Sequence, residues 1–272
     1  MSELIRAFEK YGVSVRKPKI DNAVLFIGTL PSIDNELLIK KICENSPEVI
    51  YFSPMEDSLL HPKADKYIKY EIGSEAGVLA LLAKALLKNK ELDEDVRKYI
   101  DELDDGYLSA ESNTGEEEIE ECIKMFAGNG LTLLLGDDLH AHPNVDTIAG
   151  LIALISRFEV LHISLLNESE LNSKHSTVLP SAVDDISSFD GTAIYFYVQK
   201  NESEKLLASL QFATAAKVKD KDDIAIITKD KKYEKIFEVS EKLKGVIALL
   251  GVNEKKGYRY EVANVIKKAT NG

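Results

Sequence analysis

The chain has 272 residues, of which 44% are hydrophobic and 29% are charged, and its formal net charge is −12 at pH 7. That length can bury one large core or two smaller ones. The negative charge argues against a general phosphate-contacting surface for DNA or RNA and against a polybasic contact with a membrane. A negatively charged surface also suits docking onto a basic partner.

Cysteine usage and hydropathy narrow the class of protein further. Cys43 and Cys122 have no companion at CxxC spacing, and a cluster held by cysteine alone needs four thiolates, so we expect two reduced, buried thiols. Residues 1–12 form an amphipathic helix pattern rather than a signal peptide, and no apolar run approaches the roughly 20 residues that cross a bilayer. We therefore expect a cytoplasmic protein without nucleic-acid partners or direct membrane insertion.

The first part of the chain is organised around one buried strand. Apolar residues over 2–11 predict an amphipathic helix. Residues 23–28 then predict a strand that ends at Gly28, where a sharp turn leads into a helix over about 35–45. A second apolar run over 49–52 completes a strand–helix–strand unit, and such units have parallel strands.

The middle of the chain repeats this arrangement after a run of helices. We expect an irregular segment over 55–72, a helix over 75–88 that is capped by Ser74, and a charged helix over 93–103. An ordered loop over 104–113 follows. The next helix opens with a capping box at 114–117 and ends before 128–130. Residues 131–136 predict a second strand, which ends at Gly136. A loop, a helix and a strand follow, over 137–142, 144–157 and 160–165.

The last third of the chain begins with a long loop over 167–190. Beyond it we expect strands over 193–198, 212–218, 224–227 and 245–250. We also expect three helices: one that begins near Asn201 or Ser203, one over 232–243 and one over 261–269. Because strands and helices alternate, the predicted fold class is α/β, with Rossmann-like strand–helix units and a mainly parallel sheet. We expect two halves, 1–110 and 111–272, with the boundary near 104–114 or within 167–190, or else a single domain.

Two glycines are the first candidates for a functional site. Gly28 and Gly136 would let a phosphate approach backbone amides at a helix N-terminus. However, neither loop carries the GxGxxG or GxxxxGK[ST] fingerprint, and open α/β sheets need such turns without any ligand. Both interpretations remain open at this point.

The run Asp137-Asp138-Leu139-His140-Ala141-His142 is the richest polar cluster in the sequence. Imidazole and carboxylate groups of this kind can bind zinc, but no further ligand pattern such as HExxH supports a metal. Helix capping explains the same residues more simply. No GxSxG elbow is present either, so the sequence predicts no catalytic residue and no metal ligand.

Three segments carry a resemblance to a known family. Residues 24–35 resemble a recurring element of the molybdopterin oxidoreductase superfamily, in which a hydrophobic strand ends in Gly-(Ser/Thr)-Asn-Pro and leads into a helix. Residues 72–82 and 133–143 resemble the large iron–sulfur subunit of respiratory NADH–quinone oxidoreductase. The likeness covers about 20–165. Leu30 stands where the family motif has Asn, and the long, cysteine-rich segments of full subunits are missing from this sequence.

The resemblance implies molybdopterin-oxidoreductase-type domains that hold no cofactor. The chain would be a scaffold or docking domain that supports respiratory electron transfer, with the other subunits of NADH–quinone oxidoreductase as its partners, peripheral at the inner face of the membrane. Gly28, Thr29, Gly136 and Asp137 would form a vestigial ligand surface. Two alternatives stay open: a stand-alone nucleotide- or pterin-binding enzyme that uses the Gly28 and Gly136 loops, and a free-standing oligomerisation module.

Overall fold

Two sheets of different architecture organise the chain, and each lies in its own unit, residues 1–188 and residues 189–272. The structure is a computed structural model that describes residues 2–45, 48–126, 130–159, 161–167, 170–183, 185, 186, 189 and 191–268. Some residues of the predicted elements lie outside the described residues, namely 128, 129 and 160, parts of the predicted loop 167–190 (168, 169, 184, 187, 188 and 190), and residue 269 of the last predicted helix. No helix among those described is both long and apolar enough to span a bilayer.

The first unit is a parallel sheet with helices. Its strands are β1 (Ala23–Ile27), β2 (Val49–Phe52), β3 (Lys66–Ile68), β4 (Leu131–Leu135) and β5 (Leu161–Leu165). Its helices are α1 (Glu3–Tyr11), α2 (Pro31–Asp34), α3 (Glu36–Asn45), α4 (Glu75–Leu87), α5 (Glu94–Asp101), α6 (Asp105–Ser112), α7 (Glu116–Met125) and α8 (Val145–Phe158). Two 3-10 turns cover His61–Lys63 and Asp137–Ala141.

All five strands of this sheet are parallel, in the order β3-β2-β1-β4-β5. Strands β1, β2 and β4 are buried along their whole length, because apolar helices cover both faces of the sheet. Leu25 and Ile27 pack into the cluster that includes α1, α4 and α8, whereas Val24 and Phe26 pack against Ile39 on the opposite face. The predicted α/β class and parallel sheet are confirmed.

One predicted loop in this unit is a helix. Residues 104–113 lack a hydrophobic period because α6 buries only Leu108 and Ser112. Local side-chain chemistry marks its ends instead: Asp104 accepts from the Tyr107 amide at 3.0 Å, and Asn113 ends the helix in the left-handed region with φ of 53°.

The division between the units differs from the predicted halves 1–110 and 111–272. Strand β4 pairs with β1 along its full length, so residues on both sides of position 110 belong to one sheet. The division falls between residues 188 and 189, which lie within the other predicted boundary region, 167–190.

The second unit is mostly β-structure. It contains β6 (Ala193–Val198), β7 (Lys205–Ala208), α9 (Leu210–Ala216), β8 (Asp223–Ile227), β9 (Lys232–Val239), β10 (Ile247–Val252), β11 (Tyr260–Val262) and β12 (Asn264–Lys267). The mixed sheet has the order β11-β6-β10-β7-β9-β8-β12. Its two edge strands are consecutive in sequence and separated only by Ala263, so the sheet curls until its edges meet.

Several predictions for this unit are wrong. The expected helices over 232–243 and 261–269 are strands β9 and β11–β12, the helix expected near Asn201 or Ser203 is strand β7, and the expected strand 212–218 falls on helix α9. Tyr233, Ile236 and Phe237 have helical spacing, but β9 pairs with β7 on one side and β8 on the other, and this pairing satisfies its backbone. Helix α9 begins at Ser209, whose hydroxyl accepts from the Phe212 amide at 3.0 Å.

A polar clamp joins the N-terminal helix α1 to α8. The Lys10 ammonium lies 2.7 and 2.8 Å from the two carboxylate oxygens of Asp146, and the Tyr11 hydroxyl donates to Asp146 at 2.6 Å. Burial raises the pKa of the Asp146 carboxyl, but the hydrogen bonds from Lys10 and Tyr11 outweigh burial and hold this pKa below its ordinary 3.8.

We expect Asp146→Asn to lower the free energy of unfolding by about 1 kcal/mol at pH 7, the net value of a partly exposed charged hydrogen bond. Because the folded pKa of Asp146 is depressed, the wild-type advantage is complete above the unfolded value of about 3.9 and is lost as the pH falls through the folded pKa. Urea titrations at pH 7 and pH 3 measure this, with Asp21→Asn in an exposed turn as the control. An equal difference at both pH values would contradict the clamp.

Candidate functional site

The carboxyl ends of β1 and β4 meet at the centre of the five-stranded sheet. The chain leaves β1 toward β2 on one side and leaves β4 toward β5 on the other, so its direction reverses between β1 and β4. In open parallel sheets such a reversal forms a crevice where ligands bind. Gly28 follows β1 and Gly136 follows β4, so both predicted glycines lie at this point.

Atoms of the chain itself fill the space between these two glycines. A Cβ on Gly136 would lie 2.3 Å from the Gly28 carbonyl oxygen and 2.2 Å from the Thr29 Cβ. Leu139 covers the other glycine, since a Cβ on Gly28 would lie 2.5 Å from the Leu139 Cγ. The Asp138 amide donates to the Gly28 carbonyl at 3.0 Å. The turn after β4 is therefore packed directly onto the turn after β1.

The polar groups next to Gly28 are also used internally. Thr29 is 2% exposed, and its hydroxyl donates to Asp34 at 2.7 Å. The Leu30 amide donates to the same carboxylate oxygen at 3.1 Å. The hydroxyl and the amide that this loop would offer to a phosphate therefore bind Asp34.

Asp57 fixes the loop after β2 in a similar way. Its carboxylate is 1% exposed and accepts from the amides of Ser32, Leu59 and Leu60 at 2.9, 2.8 and 2.7 Å. Sequence reasoning missed this residue, because it lies in a segment without periodicity and one of its donors is 25 positions away.

Asp137, the fourth predicted site residue, belongs to a partly exposed polar row. Its carboxylate accepts from the Asn167 amide group at 3.0 Å, and the Asn167 carbonyl accepts from the Asn35 amide group at 3.2 Å. His140 lies at the other end, with its Nε2 atom 3.8 Å from Asp137. The structure thus brings Gly28, Thr29 and Gly136 together, whereas the Asp137 carboxylate binds Asn167, which in turn binds Asn35.

Three buried side chains, those of Glu75, His142 and Tyr70, form a hydrogen-bonded network. Glu75, at the start of α4, is fully buried, and His142 and Tyr70 are each 1% exposed. His142 Nδ1 accepts from the Asn144 amide at 2.9 Å, so the imidazole proton lies on Nε2, which donates to Glu75 at 2.9 Å. The Tyr70 hydroxyl donates to the other Glu75 oxygen at 3.3 Å. Burial, and then the Glu75 carboxylate, raise the pKa of Tyr70 well above 10.

The network has the chemical groups of an acid–base site, but its position in the core indicates a structural role. All three side chains are almost fully buried, so a substrate cannot reach them without opening the core. They join the start of α4 to the loop after β4, which carries Gly136. We therefore assign the contact between Glu75 and His142 to the stability of the crevice loops rather than to catalysis.

The two candidate histidines belong to different contacts, His142 with Glu75 and His140 beside Asp137. Within the part of the chain that the structure describes, no group of three or more His, Cys, Asp or Glu residues is arranged to hold a metal ion. Cys43 and Cys122 are free thiols, and burial raises the pKa of Cys122 to about 12. A thiol with that pKa is unreactive at neutral pH.

Comparisons with known proteins add a distant structural likeness. No protein-family model matches the chain, and no curated protein matches it by sequence. Among solved structures, acetylene hydratase from Pelobacter acetylenicus is similar with a TM-score of 0.46 and 12% sequence identity. The similar region covers 57% of this chain and 23% of that enzyme, so the chain spans less than a quarter of the enzyme's length.

We expect Glu75→Ala to destabilise the first unit by about 3 kcal/mol or more, because it removes the buried carboxylate that accepts from His142 Nε2 and from the Tyr70 hydroxyl and creates a cavity. Glu71→Ala, at an exposed position four residues earlier, is the control and should change stability by less than about 0.5 kcal/mol. Urea denaturation at pH 7 measures both. Similar losses of stability in the two variants would show that the buried hydrogen bonds of Glu75 do not stabilise the unit.

We expect Gly136→Ala to destabilise the protein by about 3 kcal/mol, since its Cβ would overlap the Gly28 carbonyl and the backbone must shift. Gly136 has an ordinary φ of −96°, so the loss would come from the missing space and not from backbone strain. Gly106→Ala in the first turn of α6 is the control. Its Cβ would lie 3.3 Å from an oxygen of Asp104, an exposed side chain that can shift by a few tenths of an ångström, so we expect a change of less than about 1 kcal/mol. A wild-type melting temperature for Gly136→Ala would mean that the two turns do not touch.

Proposed function

We propose that this chain is a non-catalytic scaffold or docking domain of the molybdopterin-oxidoreductase type, similar to part of the large iron–sulfur subunit of NADH–quinone oxidoreductase. In this proposal it supports respiratory electron transfer by binding other subunits of that complex at the inner face of the membrane. The observation that carries the proposal is the filled crevice. Leu139 occupies the space above Gly28, and Thr29 and Leu30 bind Asp34 instead of a ligand.

The filled crevice favours a scaffold for a physical reason. A bound phosphate needs several backbone amides that point into open space at a helix start. Here the Leu30 and Asp138 amides donate to acceptors within the chain. A ligand would have to displace these bonds and the Leu139 side chain before it gained any of its own. In this proposal Gly28, Thr29, Gly136 and Asp137 form a vestigial surface that fixes the loops.

One observation favours the alternative, a stand-alone nucleotide- or pterin-binding enzyme. Asn35, Asn167 and Asp137 form a partly exposed row of amides and carboxylate beside the glycine loops. Such groups can hydrogen-bond the edge of a base or a pterin ring. This ligand would lie on the row rather than between the glycines.

Affinity purification of the tagged full chain from its native cells tests the scaffold proposal. We expect recovery of other subunits of NADH–quinone oxidoreductase, identified by mass spectrometry. A clean monomer without those subunits would contradict the proposal. The double variant Asp137→Ala/Asn167→Ala is the control, and it should recover the same subunits, because the polar row has no part in the scaffold role.

A thermal shift experiment separates the two functions. A ligand that binds the native state raises the melting temperature by mass action, by several degrees when its concentration is about 100 times its Kd. We expect no such shift of the wild-type chain with NADH or with a pterin nucleotide at millimolar concentration. A shift that Asp137→Ala/Asn167→Ala abolishes would establish the alternative.

A further inference from the structure

A cleft of about 160 Å³ opens between helices α4, α5, α6 and α7. It lies at the end of α4 opposite Glu75, since Leu81 and Lys88 follow Glu75 by six and thirteen residues, roughly 9–20 Å along a helix. For comparison, an apolar cavity of about 150 Å³ holds one benzene ring. The cleft therefore has room for one large side chain.

The floor of the cleft is apolar. Leu81, Ile100 and Ile119 line it and are themselves buried, and Ala85 is half-buried beside them. The room exists because position 85 carries the smallest side chain that a helix favours. An aliphatic or aromatic group that entered the cleft would gain contact with three buried side chains and leave water.

The basic residues that line the cleft have their charged ends occupied. Lys84 donates to the Leu103 carbonyl at 2.6 Å and lies 2.9 Å from Asp105. Arg97 donates to the Lys90 carbonyl at 2.6 Å, just beyond the end of α4. These contacts leave the hydrocarbon stems of Lys84 and Arg97 to line the walls.

Lys88 is also paired, with its ammonium 3.6 Å from the Glu120 carboxylate. Two further carboxylates line the cleft, Asp101 and Glu116. Both are exposed, and neither has an ion pair within 4.0 Å among the described residues. Arg97 keeps its positive charge, because the carbonyls that it binds are neutral. The lining therefore has three cations and four carboxylates, and the mouth of the cleft carries a net charge of −1 above an apolar floor.

We propose that this cleft is a docking site for a partner subunit that inserts one large apolar side chain and places a lysine or arginine next to it, against Asp101 and Glu116. The inference rests on the proposed scaffold function and names the chemistry of its partner. The apolar anchor supplies affinity at the centre of such an interface, and the rim charges select the orientation.

Three small probes of equal apolar size test the chemistry of the cleft directly: phenethylammonium, 2-phenylethanol and 3-phenylpropanoate. Titrations followed through the Ile119 methyl resonances should show the ammonium binding about threefold more tightly than the alcohol, with the carboxylate weakest, because the two exposed carboxylates are partly offset by the Arg97 guanidinium. In Asp101→Asn/Glu116→Gln the alcohol should bind as before and the ammonium should lose its advantage. Equal affinity of ammonium and carboxylate in the wild type would overturn the proposal.

Ala85→Phe fills the cleft and should abolish binding of all three probes. Ala110→Phe, at an exposed position of α6 away from the cleft, is the matched control and should bind as the wild type does. Ala85→Leu provides a smaller filling side chain if the phenylalanine disturbs folding. Unchanged probe affinity in a folded Ala85 variant would overturn the assignment of the site.

Affinity purification of the same full-length variants tests the partner. Loss of the oxidoreductase subunits from Ala85→Phe and from Asp101→Asn/Glu116→Gln, but not from Ala110→Phe, would support the docking site. Recovery of the same subunits by all variants would overturn the docking site and leave the scaffold function standing. Failure of the wild type itself to recover those subunits would instead overturn the scaffold function.

Discussion

The contact between the turns after β1 and β4 constrains the rest of the first unit. The Gly136 backbone lies against the Gly28 carbonyl and the Thr29 side chain, so residue 136 has no space for a Cβ. The same contact places Leu139 over Gly28 and draws the Asp138 amide to the Gly28 carbonyl. Many α/β proteins bind ligands in the crevice at this position, whereas here atoms of the unit itself fill it.

Buried polar groups hold this contact in place. The hydrogen bond between His142 and Glu75 holds the loop after β4. Asp57, which accepts from three amides, holds the loop after β2. Removing any one of these acceptors strands buried donors, which costs more than the hydrogen bond itself contributes. The loops are therefore preorganised. The surface that we propose for a partner is the cleft between α4, α5, α6 and α7.

The sequence predicts the first unit well because a strand buried on both faces is a continuous apolar run, and glycine marks where it ends. It predicts the second unit poorly because Tyr233, Ile236 and Phe237 fit a helix as well as a strand, and only pairing with β7 and β8 decides between them. At the candidate site, Gly28, Thr29 and Gly136 could be located from local pattern. Glu75 and His142 could not be paired, because 67 positions separate them and an acidic residue at a helix start has an ordinary local explanation.

Amide hydrogen exchange at Leu30 and Asp138, with and without NADH, tests the central claim that the crevice is filled by the chain. Both amides donate within the chain, to Asp34 and to the Gly28 carbonyl. We expect both to exchange slowly in the free protein, and to exchange at the same rate when millimolar NADH is added. Rapid exchange in the free protein that becomes slow with NADH would show an open phosphate site and would contradict the account.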